Sequence, residues 1–240
     1  MHKSFNYLIN IFFPPKCLLC GKILPPQEGT GAPTLICSEC WQSIEFVKPP
    51  YCLKCGRPLM DGKFPICFEC HNSPPAFSQM RAVAVYANGL RKCLHLFKYR
   101  NKIALAKPLA QLMIDYLSQL NWKFDLLIPV PLHPSRKRER GFNQSELLAK
   151  RIGESLQTPV DTVTLLRLRP TRAQFDLSLP ERKENLKDAF GVSNPEPLKE
   201  KTILLIDDIS TTGTTINECT RTLLKSGAKQ IRALVLAHGR

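Results

Sequence analysis

A chain of 240 residues with 43% hydrophobic content has room for one large domain and a small one with a true core, which excludes a disordered or low-complexity protein. Its 34 Lys and Arg against 20 Asp and Glu leave a formal charge of +14, so phosphate-rich partners are favoured. The excess is uneven, because residues 1–77 hold 7 basic and 5 acidic side chains while the remainder holds 27 and 15.

No apolar run reaches the roughly 20 residues that span a bilayer. The stretch "FNYLINIFF" is short, is broken by Asn6 and Asn10, and runs into Pro14, Pro15 and Lys16, with no small-residue cleavage site, which argues against a signal peptide. Phe5, Leu8, Ile9 and Phe12 share a helical spacing and predict a short amphipathic helix packed on protein in preference to a membrane. A reducing, cytoplasmic location is expected.

Eight of the ten cysteines fall into four CxxC pairs: Cys17/Cys20, Cys37/Cys40, Cys52/Cys55 and Cys67/Cys70. Two thiols on one tight turn converge on a tetrahedral ion, and two such turns complete a four-thiolate zinc site. Four pairs make two sites. A redox pair would sit between a strand and a long helix, whereas these lie among Pro and Gly with no long helical pattern. Four thiolates leave no open position for water or substrate, so the zinc is expected to be structural, contributing on the order of 10 kcal/mol per site. Spacing leaves neighbouring and interleaved pairing of the turns both open. Gly21 and Gly56 suit knuckle turns that need positive φ. Residues 1–77 are expected to form a small zinc-binding domain, with metal removal unfolding residues 14–72 and sparing the rest. Cys93 and Cys219 stand alone and are expected to be buried as small hydrophobes.

From about residue 78 strand and helix signals alternate. "RAVAVYA" (81–87) reads as a strand and "GLRKCLHLFKY" as a helix with Leu90, Cys93, Leu94 and Phe97 inward. "IALAKPLAQLMIDYLSQL" reads as a helix interrupted by Pro108, "DLLIPVPL" (125–132) as a buried strand, "SRKRERGFNQ" as a loop and "SELLAKRIGESL" as a helix. "ILLID", a threonine-rich loop, a helix carrying Ile216, Cys219, Leu223 and Leu224, Gly227 as a stop and "QIRALVLA" complete a βαβ unit. Such alternation predicts an α/β domain over residues 78–240 with a largely parallel sheet.

Ligands of such sheets bind at the carboxyl ends of the strands. "ILLIDDISTTGTT" (203–215) places a buried strand over 203–206, then Asp207 and Asp208 at its edge, then a hydroxyl-rich turn into a helix. Helix N–H groups and Thr hydroxyls make a neutral cradle for a phosphate, and Gly213 lets the backbone approach closely. Two acids cannot share that phosphate, so they suit the vicinal hydroxyls of an adjoining sugar. The ligand so described is a ribose 5-phosphate. A plain N-cap turn beside a metal-binding acid pair is the alternative.

"ILLIDDISTTGTT" resembles the signature of type I phosphoribosyltransferases, which bind 5-phosphoribosyl 1-pyrophosphate (PRPP), usually with magnesium. The four CxxC pairs followed by "FKYRNK", "IPVPLHPSRKRERGFNQ", "RAQFDLSLPERKENLKDAF" and that signature make nearly the whole chain similar to the ComF family of competence proteins, also called the GntX group. The resemblance implies a type I phosphoribosyltransferase-like parallel sheet flanked by helices, with a small N-terminal double zinc ribbon. It implies that Asp207 and Asp208 contact ribose hydroxyls and that Ser210, Thr211, Thr212, Gly213, Thr214 and Thr215 hold the 5-phosphate. It places a pyrophosphate loop at "PLHPSRKRERG", with Arg136, Arg138 and Arg140 as clamps, and a closing loop over 167–185, with Arg169, Arg172, Gln174, Arg182 and Lys183 as candidates. For these basic residues a solvated surface is the competing reading.

Two departures stand out. Purine-type relatives carry an acidic base three residues beyond the acid pair, where this chain has Thr211, and the family's Gly in a "KYRG" turn is Asn101 here, a residue that tolerates positive φ. Lys98, Tyr99 and Arg100 are further candidates. The resemblance implies PRPP binding and handling of single-stranded DNA during natural transformation, with competence-machinery proteins as partners. An active phosphoribosyltransferase of unknown acceptor is the second reading. A zinc-ribbon transcription factor is weaker, since residues 1–77 are nearly neutral.

Overall fold

The computed structural model describes residues 14–25, 35–171 and 179–239, so the helix expected over residues 5–12 lies outside the described residues. The N-terminal part is two ribbons of the same design. In the first, Lys16 bridges Ile23 and the Cys17 N–H donates to Lys22 O at 2.8 Å; in the second, Tyr51 bridges Pro58 and the Cys52 N–H donates to Arg57 O at 2.8 Å. Gly21 and Gly56, at φ 74° and 72°, turn the two knuckles. Each ribbon closes on a short helix, α1 (Ser38–Gln42) or α2 (Phe68–Asn72), whose N-cap is a cysteine, Cys37 or Cys67.

Four strands, β1 (Gln79–Val85), β2 (Leu126–Pro129), β5 (Thr202–Ser210) and β6 (Gln230–His238), form an all-parallel sheet in the order β1-β6-β5-β2. A separate antiparallel pair joins β3 (Leu165–Arg167) to β4 (Phe190–Val192). The helices are α3 (Asn88–Tyr99), α4 (Ala106–Leu117), α5 (Pro134–Arg140), α6 (Gln144–Leu156), α7 (Leu179–Leu186) and α8 (Thr214–Lys225). The strands read as unbroken apolar runs because both faces are covered. Leu204 and Ile206 join a core with α3, α4 and α6, while Ile203 and Leu205 join a second core with α8 and Phe190.

The ribbons divide between these two cores. Cys17, Leu24, Ile36 and Ile44 extend the first, and Cys52, Cys55, Cys67 and Cys70 are buried in the second with Phe77 and Met80. The chain between them also pairs with the sheet: Phe46 bridges Ala84, the Val47 N–H donates to Val83 O at 3.0 Å and the Val85 N–H to Glu45 O at 2.8 Å. Val160 bridges Leu127 at the opposite edge. Both sheet edges are therefore covered, as stable sheets require. Metal removal sparing residues beyond 72 does not fit this packing, because each ribbon completes a core that the sheet shares.

Four local expectations change. Pro108 does not interrupt α4; it sits in the first turn, where N–H groups have no intrahelical partner and proline costs nothing. Strand β2 ends at Pro129, short of Leu132, because Pro129 and Pro131 lack a ladder N–H. "SRKRERGFNQ" is not all loop: α5 forms over 134–140, held by His133 Nδ1 accepting from the Ser135 N–H and by Gly141 in the left-handed region. Finally, β5 does not stop at Ile206 but pairs with β6 through Ser210, so the two acids lie within the strand near its end.

Candidate functional site

The eight paired cysteines make two clusters, Cys17/Cys20/Cys37/Cys40 and Cys52/Cys55/Cys67/Cys70, in each of which the sulfur atoms lie within 4.8 Å of one another. Neighbouring turns thus pair, and interleaving is excluded. A tetrahedral zinc with Zn–S of about 2.3 Å sets sulfurs about 3.8 Å apart. Cys20 and Cys37 Sγ are 3.7 Å apart and Cys55 and Cys67 Sγ 3.8 Å. Backbone N–H groups aim at the sulfurs as thiolates require, from Leu19 and Cys37 to Cys17 Sγ and from Cys55 and Cys67 to Cys52 Sγ. Cys17 is held down to about 6 despite burial, by the N–H of Cys37, while burial pushes the Cys40 thiol up. A divalent cation removes that conflict by favouring all four thiolates. The residues fit two structural zinc sites.

A cavity of about 320 Å³ opens at the carboxyl ends of β2 and β5. Its floor is Asp207 to Ser210, one wall is the 211–215 loop, and Arg136, Arg140, Arg167 and Lys98 bring positive charge to the others. Successive strand residues face opposite ways, and the acids accordingly take different partners. Asp208, 6% exposed, is ion-paired with Lys98 of α3 at 2.7 Å. Asp207 Oδ1 accepts from Ser145 Oγ at 2.7 Å and from the Asp208 N–H at 2.9 Å. Asn143 sets Ser145 in place: its Oδ1 caps α6 by accepting from the Ser145 N–H, and its Nδ2 donates to Val130 O.

Burial, and after it the neighbouring Asp208 charge, pushes the Asp207 carboxyl up to about 7. Lys98 is raised as well: burial opposes its charge, but Asp208 and then Asp207 more than offset it, so it stays cationic. At the loop, Gly213 has φ 75° and no side chain to cap α8, and a Cβ placed there would lie 3.7 Å from Met80 Cε and 3.8 Å from the Phe77 ring. Thr212 and Thr214 Oγ1 atoms lie 2.7 Å apart beside the α8 N-terminus. Amide dipoles, hydroxyls and a short left-handed turn together accommodate an anion.

Asp207, Asp208, Ser210, Thr211, Thr212, Gly213, Thr214 and Thr215 all line this cavity. Arg136 and Arg140 do too, one helical turn apart on α5, with Arg140 stacked 5.3 Å over the Tyr99 ring. Arg138 falls on the outer face of the same helix and is exposed, as i+2 geometry dictates. Arg169 reaches the carbonyl of Lys187, away from the cavity. Arg172 and Gln174 lie outside the described residues, as do the side chains of Arg182 and Lys183. Asn101 takes φ 51°, the conformation expected in place of glycine. The sequence did not single out Ser145, Gln144, Tyr86 or Arg167, all on the cavity wall. For Ser145 a signal existed: "FNQS" after a strand and an arginine cluster is an N-cap next to the sheet's carboxyl edge.

Residues 8–71 match the model of the double zinc ribbon domain, and residues 101–240 that of the phosphoribosyl transferase domain. Competence protein F of Haemophilus influenzae is 30% identical over 235 residues, covering 94% of this chain and 98% of its own. The chain belongs to the competence protein F (ComF) family. Its other ComF relatives include the DNA utilization protein YhgH of Escherichia coli, 32% identical over 93% of this chain and 96% of its own. Competence protein ComFC of Streptococcus pneumoniae is 29% identical over 92% and 99% respectively. The first match covers both cysteine clusters, and the second covers β2, β5 and β6 of the sheet but not β1. Among the described residues no helix is long and apolar enough to cross a membrane.

Proposed function

We propose that this ComF-family chain binds PRPP in the β2/β5 cavity and handles single-stranded DNA during DNA uptake. The observation that carries the reading is the meeting, in one cavity, of a buried acid pair and a hydroxyl-rich helix N-terminus. In this arrangement Asp207 and Asp208 accept from the ribose hydroxyls, and Thr211 to Thr215 with Ser210 cradle the 5-phosphate. Arg136 and Arg140, presented on one face of α5, clamp the pyrophosphate. The ion pair with Lys98 holds the Asp208 side chain in position until the sugar arrives. Magnesium arriving with PRPP would neutralise pyrophosphate charge, and Asp207 and Asp208 are the cavity carboxylates that would hold it. The division into a zinc-binding segment 1–77 and a PRPP-binding segment 78–240, in a reducing cytoplasm that keeps thiols available for zinc, belongs to the same proposal.

Binding without turnover is favoured over glycosyl transfer by one feature of the cavity: Thr211 stands where an acidic base is needed for a purine-type acceptor. The test is calorimetry of PRPP with magnesium against wild type and Asp207→Ala/Asp208→Ala. Loss of charge-assisted hydrogen bonds, about 1.5–3 kcal/mol each, should weaken binding at least about a hundredfold. Unchanged affinity would place the sugar elsewhere. Release of pyrophosphate that depends on an added nucleobase or amine would make the chain a transferase.

A further inference from the structure

A second cleft, about 570 Å³, lies between the first zinc knuckle and the outer face of α3. Leu18 and Leu19 of the knuckle form one side, Arg91, Lys92 and His95 of α3 the other, and Tyr86 the end. Tyr86 also lines the β2/β5 cavity, so the two openings share a wall. Among the described residues no acid lines the cleft.

Its chemistry continues along the helix. Arg91, His95 and Tyr99 are four residues apart and so stack on one face, roughly 6 Å per step. The His95 and Tyr99 rings are 5.2 Å apart, Tyr99 is 63% exposed, and Arg140 stands over it from α5. Exposed rings alternating with cations beside an apolar wall take unpaired bases and a phosphate backbone together, which a duplex, with its bases stacked inside, does not offer.

We propose that this cleft and the Arg91–His95–Tyr99 stripe are the track for single-stranded nucleic acid, leading from the first zinc ribbon to the lip of the β2/β5 cavity. The inference rests on the single-stranded DNA reading above and assigns it a surface. The cations there are exposed and carry no part of the sheet's core, so they can be removed without unfolding the chain.

Fluorescence anisotropy of labelled oligothymidine across a salt series tests it on the full zinc-loaded chain. Arg91→Ala/Lys92→Ala should weaken binding about tenfold and flatten the log–log salt slope by about 1.4, two cations at about 0.7 each for a single strand. His95→Ala should weaken it about fivefold with the slope unchanged, as a stacking loss does. Lys225→Ala/Lys229→Ala, which removes equal charge at the far end of the sheet, is the control and should bind as wild type. Equal loss in both double variants would overturn the track while leaving single-stranded DNA binding intact. No binding by wild type would overturn the reading beneath it. A duplex bound as tightly as the single strand would rule out base stacking in the cleft.

Discussion

The two zinc ribbons share the CxxC turn, a knuckle glycine and a cysteine helix cap, yet they meet the sheet differently. The first buries one ligand, Cys17, in the core it shares with the helices and the sheet and leaves Cys20 exposed to solvent. The second sits inside a core: Cys52, Cys55, Cys67 and Cys70 are buried with Phe77 and Met80, and the Met80 N–H donates to Lys54 O at 2.8 Å. Arg81, itself buried, donates from Nη1 to Leu53 O and stacks over Tyr51. Met80 and Phe77 also lie beside Gly213, so the core of the second ribbon reaches the hydroxyl-rich loop of the cavity. The same CxxC turns, 17 positions apart from Cys20 to Cys37 and 12 from Cys55 to Cys67, have produced one metal site with a solvent-exposed ligand and one whose four ligands are all buried.

The largest effect separating the two should come from the ligands themselves. Cys67→Ser should abolish cooperative folding, since a structural zinc contributes on the order of 10 kcal/mol and a domain's whole stability is about 5–15 kcal/mol. Cys20→Ser should leave a sheet that still melts cooperatively at lower temperature with one zinc retained. Circular dichroism melts and zinc analysis read both, and equal damage would erase the distinction.

Met80→Ala should cost about 2–5 kcal/mol as a buried large-to-small change. It should also weaken PRPP binding severalfold in calorimetry, because the truncation opens space beside Gly213 of the loop. Stability lost with affinity intact would show that the second ribbon and the cavity are uncoupled.

The knuckle glycines sharpen the contrast further. A Cβ at Gly21 meets nothing within 4 Å, whereas one at Gly56 would lie 2.8 Å from Met80 O. Both substitutions pay about 1–2 kcal/mol for a left-handed residue. Gly56→Ala should lose about 1–3 kcal/mol more through overpacking, measured by denaturant unfolding.

The smallest effect is in pH. The folded chain holds the Asp207 proton up to about 7, above the unfolded value, so this group's contribution to stability is complete below the ordinary carboxylate range and fades as pH rises through 7. A sugar that needs the carboxylate should bind about tenfold more tightly at pH 8 than at pH 6, following the ionised fraction. Gly21→Ala should leave that profile unchanged, and Gly56→Ala should move it if the second ribbon tunes the cavity.

The parts legible in the sequence are those in which chemistry is local. Cysteine spacing, the acid pair with its threonine turn, and the tolerance of Asn101 for positive φ need no knowledge of the rest of the chain. Which knuckles pair depended on strand contacts within each ribbon, and spacing does not encode those. Helix α5 was hidden because seven mostly charged residues carry no apolar period; its ends, His133 and Gly141, hold it. The Lys98–Asp208 pair joins residues 110 positions apart and emerges only when α3 packs on β5. The strand beyond Ile206 escaped detection because two acids broke its apolar run, although pairing with β6 continued.

Strand order adds a consequence for biosynthesis. β1 lies next to β6, the last strand in sequence, so a nascent chain leaving the ribosome exposes β1 long before its sheet neighbour exists. Residues 45–47 already cover its other edge, and a metallated ribbon can guard that strand against aggregation until translation delivers the partner.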